Sequence, residues 1–513
     1  MLRTRIFTAS ALAVAVVATS LPFVATATPA AAIGGAQWSK SFSGWNRSSS
    51  PTIADVTGDG VPEIIHGAQD GWVRVLNAAT GDNIPGWPQP EVIRPGYITP
   101  VDGSPSVGDL DNDGAPEIVV PGGSTWRKAP GGVVVFRRDG SVKCSFETAG
   151  WSGNNDQGVY STPALGDVDG DGFRDIVFGG WDLRVHALNR DCNELSGFPV
   201  NVEDSTWSSP ALYDSDGDGR LEIFIGSDQM AGGAIDWSGG EFRALDWRNG
   251  SVVELWKRRI NDVFHSSPAI GDIDGDGSME VVTGGGNYYN RDEGRKIFAF
   301  NIHDGSDQGG FPVLTGAQTN SSPAIGDVNN DGVADVVAGS NDGYVRAING
   351  HGQQLWASGL RFVNSTPGGP VASPIIADMN GDGVNDVGVA NNFAFFVLNG
   401  SNGAEMAAVN TFVSYESAGA VGDFGPLGWK LIVSGFDTPQ NFTRIESYAI
   451  PTPGKTPPWP MFHKNAGHTG APLPTDVCRP PSNPAPHPSS ASANGYWVLS
   501  SVGGVYSLGA PFY

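Results

Sequence analysis

The stretch Asp272-Ile-Asp274-Gly-Asp276-Gly277-Ser-Met-Glu280 sets carboxylates at positions 1, 3, 5 and 9 around a glycine at position 6. Closely spaced carboxylates about a sharp glycine turn can wrap a hard cation such as Ca²⁺, which takes about six to eight oxygen ligands. The stretch recurs. Six further versions open at Asp55, Asp109, Asp167, Asp214, Asp327 and Asp378, and a degraded eighth opens at Asp423. Successive starts lie 54, 58, 47, 58, 55, 51 and 45 residues apart, so one unit of about fifty residues is repeated along the chain.

Each unit has the same punctuation. A short apolar segment precedes the loop, as in Ser-Pro-Ser-Val-Gly before Asp109 and Ser-Pro-Ala-Ile-Gly before both Asp272 and Asp327. A β-rich run follows, such as Glu280-Val-Val-Thr283, then an alternating segment such as Tyr344-Val-Arg-Ala-Ile348, a turn at Asn349-Gly350, and a Trp-bearing segment such as Gln354-Leu-Trp356. Four short strands per unit with no convincing helical period predict an all-β chain. Four-stranded units repeated radially are β-propeller blades; a solenoid normally uses shorter repeats. Eight blades are expected, seven being the alternative. Lys430-Leu-Ile-Val433 and Arg444-Ile-Glu-Ser-Tyr448 supply strands for the last blade, and Ala36-Gln-Trp-Ser-Lys40 reads as its fourth strand, closing the ring and removing a bare sheet edge.

The ends read differently. Arg3 and Arg5, an apolar run from Ala9 to Val24, and small residues at Ala27 and Ala32 predict a secretory signal peptide over 1–32. The propeller is expected over 33–470, a Pro/Ser-rich linker over 471–492, and over 493–513 a short β segment that reads as a partial or truncated repeat. No later segment is apolar enough to span a membrane, and the expectation is a secreted monomer. Cys144 and Cys192 fall at matching places in successive repeats, which leaves open a disulfide or two buried free thiols; Cys478 has no evident partner. The net charge of −24 resides largely in the Asp loops, and with no basic surface a nucleic-acid partner is excluded.

Asp-x-Asp-x-Asp-Gly-x-x-Asp/Glu, preceded by Ser-Pro-Ala-Ile-Gly and followed by a β run, resembles the FG-GAP/VCBS repeats of integrin α-subunit propellers and of many secreted bacterial proteins, over roughly residues 36 to 470. The resemblance implies one Ca²⁺ per intact loop, up to seven, bound by the side chains at positions 1, 3, 5 and 9 and the carbonyl at 7. Carried onto this chain, the ligands would be Asp55, Thr57, Asp59 and Glu63; Asp109, Asp111, Asp113 and Glu117; Asp167, Asp169, Asp171 and Asp175; and Asp214, Asp216, Asp218 and Glu222. The remaining loops would supply Asp272, Asp274, Asp276 and Glu280; Asp327, Asn329, Asp331 and Asp335; and Asp378, Asn380, Asp382 and Asp386. Thr57, Asn329 and Asn380 each keep an oxygen but lose a charge, so weaker binding is expected there, and none at Asp423.

Seven equivalent carboxylate loops argue for structural staples rather than a catalytic centre. Function is therefore expected on the opposite face, where the second-to-third-strand loops and the connections between blades emerge. Trp126, Arg127, Trp237, Tyr288, Tyr289 and Arg291 lie in three long loops there, and Trp151, Trp207 and Phe264 in the connections. Aromatics beside Arg and Asn suit sugar stacking or anchoring of a protein partner; packing between blades is the bland reading for any one of them. The scattered histidines show no metal spacing, and no nucleophile motif stands out. The sequence favours a binding or adhesion module for extracellular carbohydrate, cell wall or protein. The runner-up is a polysaccharide-active enzyme, lyase-like, with a Lys, Arg or His on that same face.

Overall fold

The computed structural model describes residues 33–46, 48–123, 129–148, 157–202, 204–229, 238–286, 288–289, 291–361, 369, 371–409, 413–414, 417–437, 441–472, 496–499 and 505–508. It is an eight-bladed β-propeller. Blade 4 shows the plan: Ala211–Tyr213, Glu222–Gln229, Gly239–Arg248 and Ser251–Ile260 pair antiparallel in that order from the channel outward. The first strands of the other blades are Thr52–Ala54, Ser106–Gly108, Ala164–Gly166, Ala269–Gly271, Ala324–Gly326, Ile375–Ala377 and Ala420–Asp423. Second strands such as Ile176-Val-Phe178 are buried on both faces because every blade is sandwiched between two others, which is why they read as apolar runs rather than alternations.

The ring closes as the sequence predicts. Trp38–Ser43 pairs antiparallel with Phe442–Ala449, Trp38 opposite Ser447, and becomes the outer strand of blade 8. The degraded loop of that blade is a short 3₁₀ turn, Gly425–Leu427. The signal-peptide reading over 1–32 lies outside the described residues, as does the linker reading over 471–492 but for its first two residues; Ala471 is buried against the core of blades 4 and 5. Tyr496–Leu499 and Val505–Leu508 form an antiparallel hairpin.

The blades differ in pairs, which the sequence reading did not resolve. Only even blades end in a Trp-bearing strand. Trp256 of blade 4 and Trp356 of blade 6 lie on the next blade's turn glycines, Gly305 and Gly403, and donate Nε1–H to Ile302 O and Gly400 O at 2.8 and 2.6 Å. Trp38 does the same over Gly81, bonding Ala78 O at 2.9 Å. Blade 2 has Cys144 at this register, and it is disulfide-bonded to Cys192 on the turn of blade 3. Blades 1, 3 and 5 instead follow Trp87-Pro88, Phe198-Pro199 and Phe311-Pro312 with outer strands of two residues.

Two hydrogen-bonded circuits line the channel. In the first, each Ser or Thr before the blade-opening proline donates its amide to the hydroxyl of its counterpart one blade on: Ser50 to Ser104, Ser104 to Thr162, Thr162 to Ser209, Ser209 to Ser267, Ser267 to Ser322, and Ser322 to Ser373, all at 2.9–3.0 Å. Ala418 donates to Ser50 at 3.1 Å but carries no hydroxyl, so the circuit is interrupted there. A residue before proline is held extended, which fixes the direction of its N–H. The second circuit is the closing segment. Its carbonyls at Trp459, Pro460, Ala466, Gly467, Thr469 and Gly470 accept from the first-strand amides of Ile376, Val421, Val107, Leu165, Leu212 and Ile270 at 2.8–2.9 Å. The tail thus satisfies the innermost sheet edges and plugs the channel.

Candidate functional site

The Asp loops are held in shape by their own backbone. In the loop at Asp272, Gly275 N–H donates to Asp272 Oδ1 at 2.7 Å and Gly277 N–H to Oδ2 at 3.0 Å, while Glu280 accepts from Ile273 N–H at 3.1 Å. The bond from position 2 to the carboxylate at position 9 recurs at Glu63, Glu117, Asp175, Glu222, Asp335 and Asp386. Gly277 has φ +90°, a left-handed conformation that favours glycine.

Carboxylate oxygens converge within 4.8 Å of one another in four loops: Asp214, Asp216, Asp218 and Glu222; Asp109, Asp111 and Glu117; Asp167, Asp169 and Asp175; and Asp272, Asp274 and Asp276. The loops at Asp55, Asp327 and Asp378 have Thr57, Asn329 and Asn380 at position 3, and there the amides of Asn329 and Asn380 donate to Asp331 and Asp382 at 2.8 and 3.1 Å. The inner carboxylates are strained electrostatically. Burial, aided by the neighbouring aspartates, pushes Asp175 and Asp386 up to about 8, Glu222 and Glu280 to about 7 and Asp335 to about 6. Glu222 Oε1 and Asp386 Oδ1 are buried without a hydrogen-bond partner. Where the carboxylates converge, desolvated and partly unpartnered, as at Asp214, Asp216, Asp218 and Glu222, they are a donor set that fits a hard divalent cation.

Across the ring, the plugged channel leaves a blind funnel of about 560 Å³. Phe462 of the tail lines it, with Ser50, Thr162, Ser209, Ser267, Ser322 and Ser373 around the wall. Each of these hydroxyl oxygens already accepts an amide. One side of the funnel is aromatic: Tyr160, Trp207, His265 and Tyr288 line it. Trp207 lies 4.8 Å from Tyr160, 4.8 Å from Trp181 and 5.4 Å from His265, centroid to centroid. His265 Nε2 is 3.2 Å from the carboxylate of Asp228, whose side chain is almost wholly buried and also accepts from Ser205 Oγ at 3.2 Å.

Of the residues expected on this face, Tyr288 reaches the funnel and is 61% exposed, and Trp207 is at its wall. Phe264 is corrected: it is fully buried in the core, packed on Phe242 and Phe298, because a connection that turns back into the first strand buries its last apolar side chain. Tyr289 and Arg291 brace the loop instead of lining the funnel. Tyr289 O–H donates to Gln229 O at 3.0 Å, and Arg291 donates to Ser238 O and Asn261 O with its guanidinium 4.6 Å from the Tyr289 ring. Trp126, Arg127, Trp151 and Trp237 lie outside the described residues.

Sequence reasoning missed the organiser of that loop. Asp262, fully buried, accepts the backbone N–H groups of Val263, Tyr288, Tyr289 and Arg291 at 2.7–3.2 Å. It also missed the serine circuit, although the Ser-Pro dipeptide at fixed distance before each Asp loop was its signal.

No curated protein matches the chain by sequence. The FG-GAP-like repeat family matches it over residues 109–178 and 327–389, each match running from the loop of an even blade into the next blade. Among solved structures it is similar to the V. cholerae biofilm matrix protein Bap1, at 15% identity and TM-score 0.54 over 81% of this chain and 91% of that one. It is similar also to BamB from Moraxella catarrhalis, at 13% identity and TM-score 0.52 over 81% of this chain and 99% of that one. Among the described residues no helix is long and apolar enough to cross a membrane. With the repeats matched, the loops recurring and the ring closed, the chain is an eight-bladed β-propeller that carries FG-GAP-like repeats.

Proposed function

We propose that the protein is an exported, calcium-stabilised binding module that takes extracellular carbohydrate, such as a cell-wall glycan, in the funnel opposite the Asp loops. The fold is shared with proteins as different as Bap1 and BamB, so the scaffold chooses no ligand. The observation that carries the reading is the lining: hydroxyl groups around the wall facing an aromatic side made of Tyr160, Trp207 and Tyr288. A sugar presents the complementary surfaces, apolar C–H faces for the rings and hydroxyls for the serines. Calcium in the loops would tie the first and second strands of each blade at the position-9 carboxylate and hold the funnel's rim in register. The Cys144–Cys192 disulfide supports export, since such bonds persist in oxidising compartments.

A glycan array probed with and without EDTA tests this. Retention on a glycan or wall fraction, lost in Trp207→Ala with folding intact, is expected. Binding to no glycan or wall fraction overturns the carbohydrate reading and leaves a protein partner.

One observation favours a second reading. His265, oriented by buried Asp228 at 3.2 Å inside the funnel, has the arrangement of a general base. A lyase of acidic polysaccharide would then generate unsaturated sugar ends. Their appearance with the wild type and absence with His265→Gln would replace the pure binding reading.

A further inference from the structure

We propose that in two of the eight loops a lysine of the chain itself occupies the place of a divalent ion, so that the ring takes six such ions and the loop at Asp109 takes none. The proposal rests on the calcium reading above. In sequence the loop at Asp109 is among the best, with Asp109, Asp111, Asp113 and Glu117 all in place. In space it is already filled. Lys143, whose side chain is 7% exposed, reaches in from the outer strand of blade 2. Its Nζ donates to Asp111 Oδ2 and lies 3.3 Å from Glu117 Oε1, so it meets the carboxylates at positions 3 and 9 together. A divalent ion at the same oxygens would stand in contact with a like charge that is largely shielded from water.

Blade 8 places a lysine at the same locus, bonded to a neutral amide instead of to loop carboxylates. Gly108 pairs with Glu117 in blade 2 and Gly422 with Lys430 in blade 8, so Lys430 stands at position 9, where the other loops have a carboxylate. Lys430 is buried and donates its Nζ to Gln37 Oε1. Gln37 precedes Trp38 as Lys143 precedes Cys144, and both Trp38 and Cys144 pair with the third strand at equivalent places. The two positions therefore hold Glu117 and Lys143 in one blade, Lys430 and Gln37 in the other. The loss of carboxylates after Asp423 is then a completed substitution of ammonium for metal, and blade 2 an intermediate in which the acidic ligands persist.

The other even blades have Leu255 and Leu355 at the place of Lys143. Basic side chains do approach other loops: Arg190 is 3.6 Å from Asp171 and Arg248 is 3.7 Å from Asp216. Neither reaches a position-9 carboxylate: Arg190 meets position 5 and Arg248 position 3 of its loop. Among the described residues, Lys143 is the cation ion-paired to a position-9 carboxylate.

Native mass spectrometry of the chelated protein titrated with calcium to the millimolar range reads the stoichiometry. Six ions are expected for the wild type and seven for Lys143→Met, whose side chain keeps the volume but not the charge. Asp109→Asn should leave six, and Asp214→Asn five, which keeps the count interpretable even if Lys143→Met does not fold. Seven ions in the wild type, with Asp109→Asn lowering the count to six, would overturn the proposal while leaving calcium in place. No calcium bound to the wild type would overturn the calcium reading itself.

Discussion

Cys144 is bonded to Cys192 at the register where Trp256 lies over Gly305 and Trp356 over Gly403. The ring thus joins each even blade to the next odd one by a single device, an aromatic ring on a glycine turn, replaced once by a covalent bond. The bond closes a loop over a sequence separation of 48 residues, and restricting the unfolded chain by such a loop is worth up to about 4 kcal/mol. Cys144→Ser with Cys192→Ser should lower the urea midpoint accordingly, with the m-value changing because the unfolded state expands. An unchanged midpoint would show that the two thiols are not joined.

At the blades joined without sulfur, the same contact depends on the missing side chain. A Cβ on Gly403 would lie 2.6 Å from Trp356 Cε3, and the residue has φ +72°. Gly403→Ala therefore meets both a clash and a strained backbone, and a loss of about 1–3 kcal/mol is expected, read by thermal unfolding. A neutral outcome would mean that blades 6 and 7 are held chiefly by their aliphatic faces.

The serine circuit makes a separate prediction. Removing the Ser267 hydroxyl orphans the Ser209 amide, which donates to it at 2.9 Å in a buried position. An unsatisfied buried donor costs about 1–3 kcal/mol, so Ser267→Ala should be destabilising well beyond the small volume removed. Ser267→Thr keeps the hydroxyl, as Thr162 does naturally, and should recover most of the loss. If both variants lose equally, packing rather than the hydrogen bond is responsible.

Much of this is legible in the sequence. The Asp loops are local in sequence, so their spacing points to eight blades with seven as the alternative, and Ala36-Gln-Trp-Ser-Lys40 resembles a fourth strand such as Gln354-Leu-Trp356. What stayed hidden depends on partners one or several blades away. Ser-Pro was visible as a motif, yet its bond partner is the next copy of itself. Asp262 reads like any loop aspartate until Tyr288 and Arg291 are brought to it. Lys143 becomes informative only once the register of its strand sets it against Glu117. The tail from Trp459 to Gly470 has no strand pattern because it satisfies six blades at once with irregular backbone.

That tail carries a pH dependence. His463 and His468, and His66 in blade 1, are fully buried, and burial pushes their pKa values down to about 3, 4 and 3. His468 Nδ1 lies 2.8 Å from Phe462 O and Nε2 lies 3.0 Å from Pro105 O; both carbonyls favour the protonated ring, and burial outweighs them. In the unfolded chain these imidazoles titrate near about 6.5. Below that pH the unfolded state binds more protons than the folded one, so stability falls as pH drops from about 6.5 toward 4. Ring-proton NMR should find all three rings untitrated down to about pH 5. A midpoint near neutrality for His468 would mean that the plug opens to water.

The last prediction concerns the rim of the funnel. Asp262 gathers the amides of Tyr288, Tyr289 and Arg291 onto one carboxylate, and Tyr288 stands over the funnel because of it. Charge-assisted hydrogen bonds of this kind contribute about 1.5–3 kcal/mol each, yet the loop is otherwise anchored through Tyr289 to Gln229 O and through Arg291 to Ser238 O and Asn261 O. Asp262→Ala should therefore leave global unfolding of the ring recognisably two-state but raise hydrogen exchange at Tyr288 and Tyr289 by at least about tenfold. Asp262→Asn retains one acceptor oxygen and should fall between. Exchange unchanged in both variants would show that the Tyr289 and Arg291 side-chain contacts hold the loop, and that the position of Tyr288 over the funnel does not depend on the buried carboxylate.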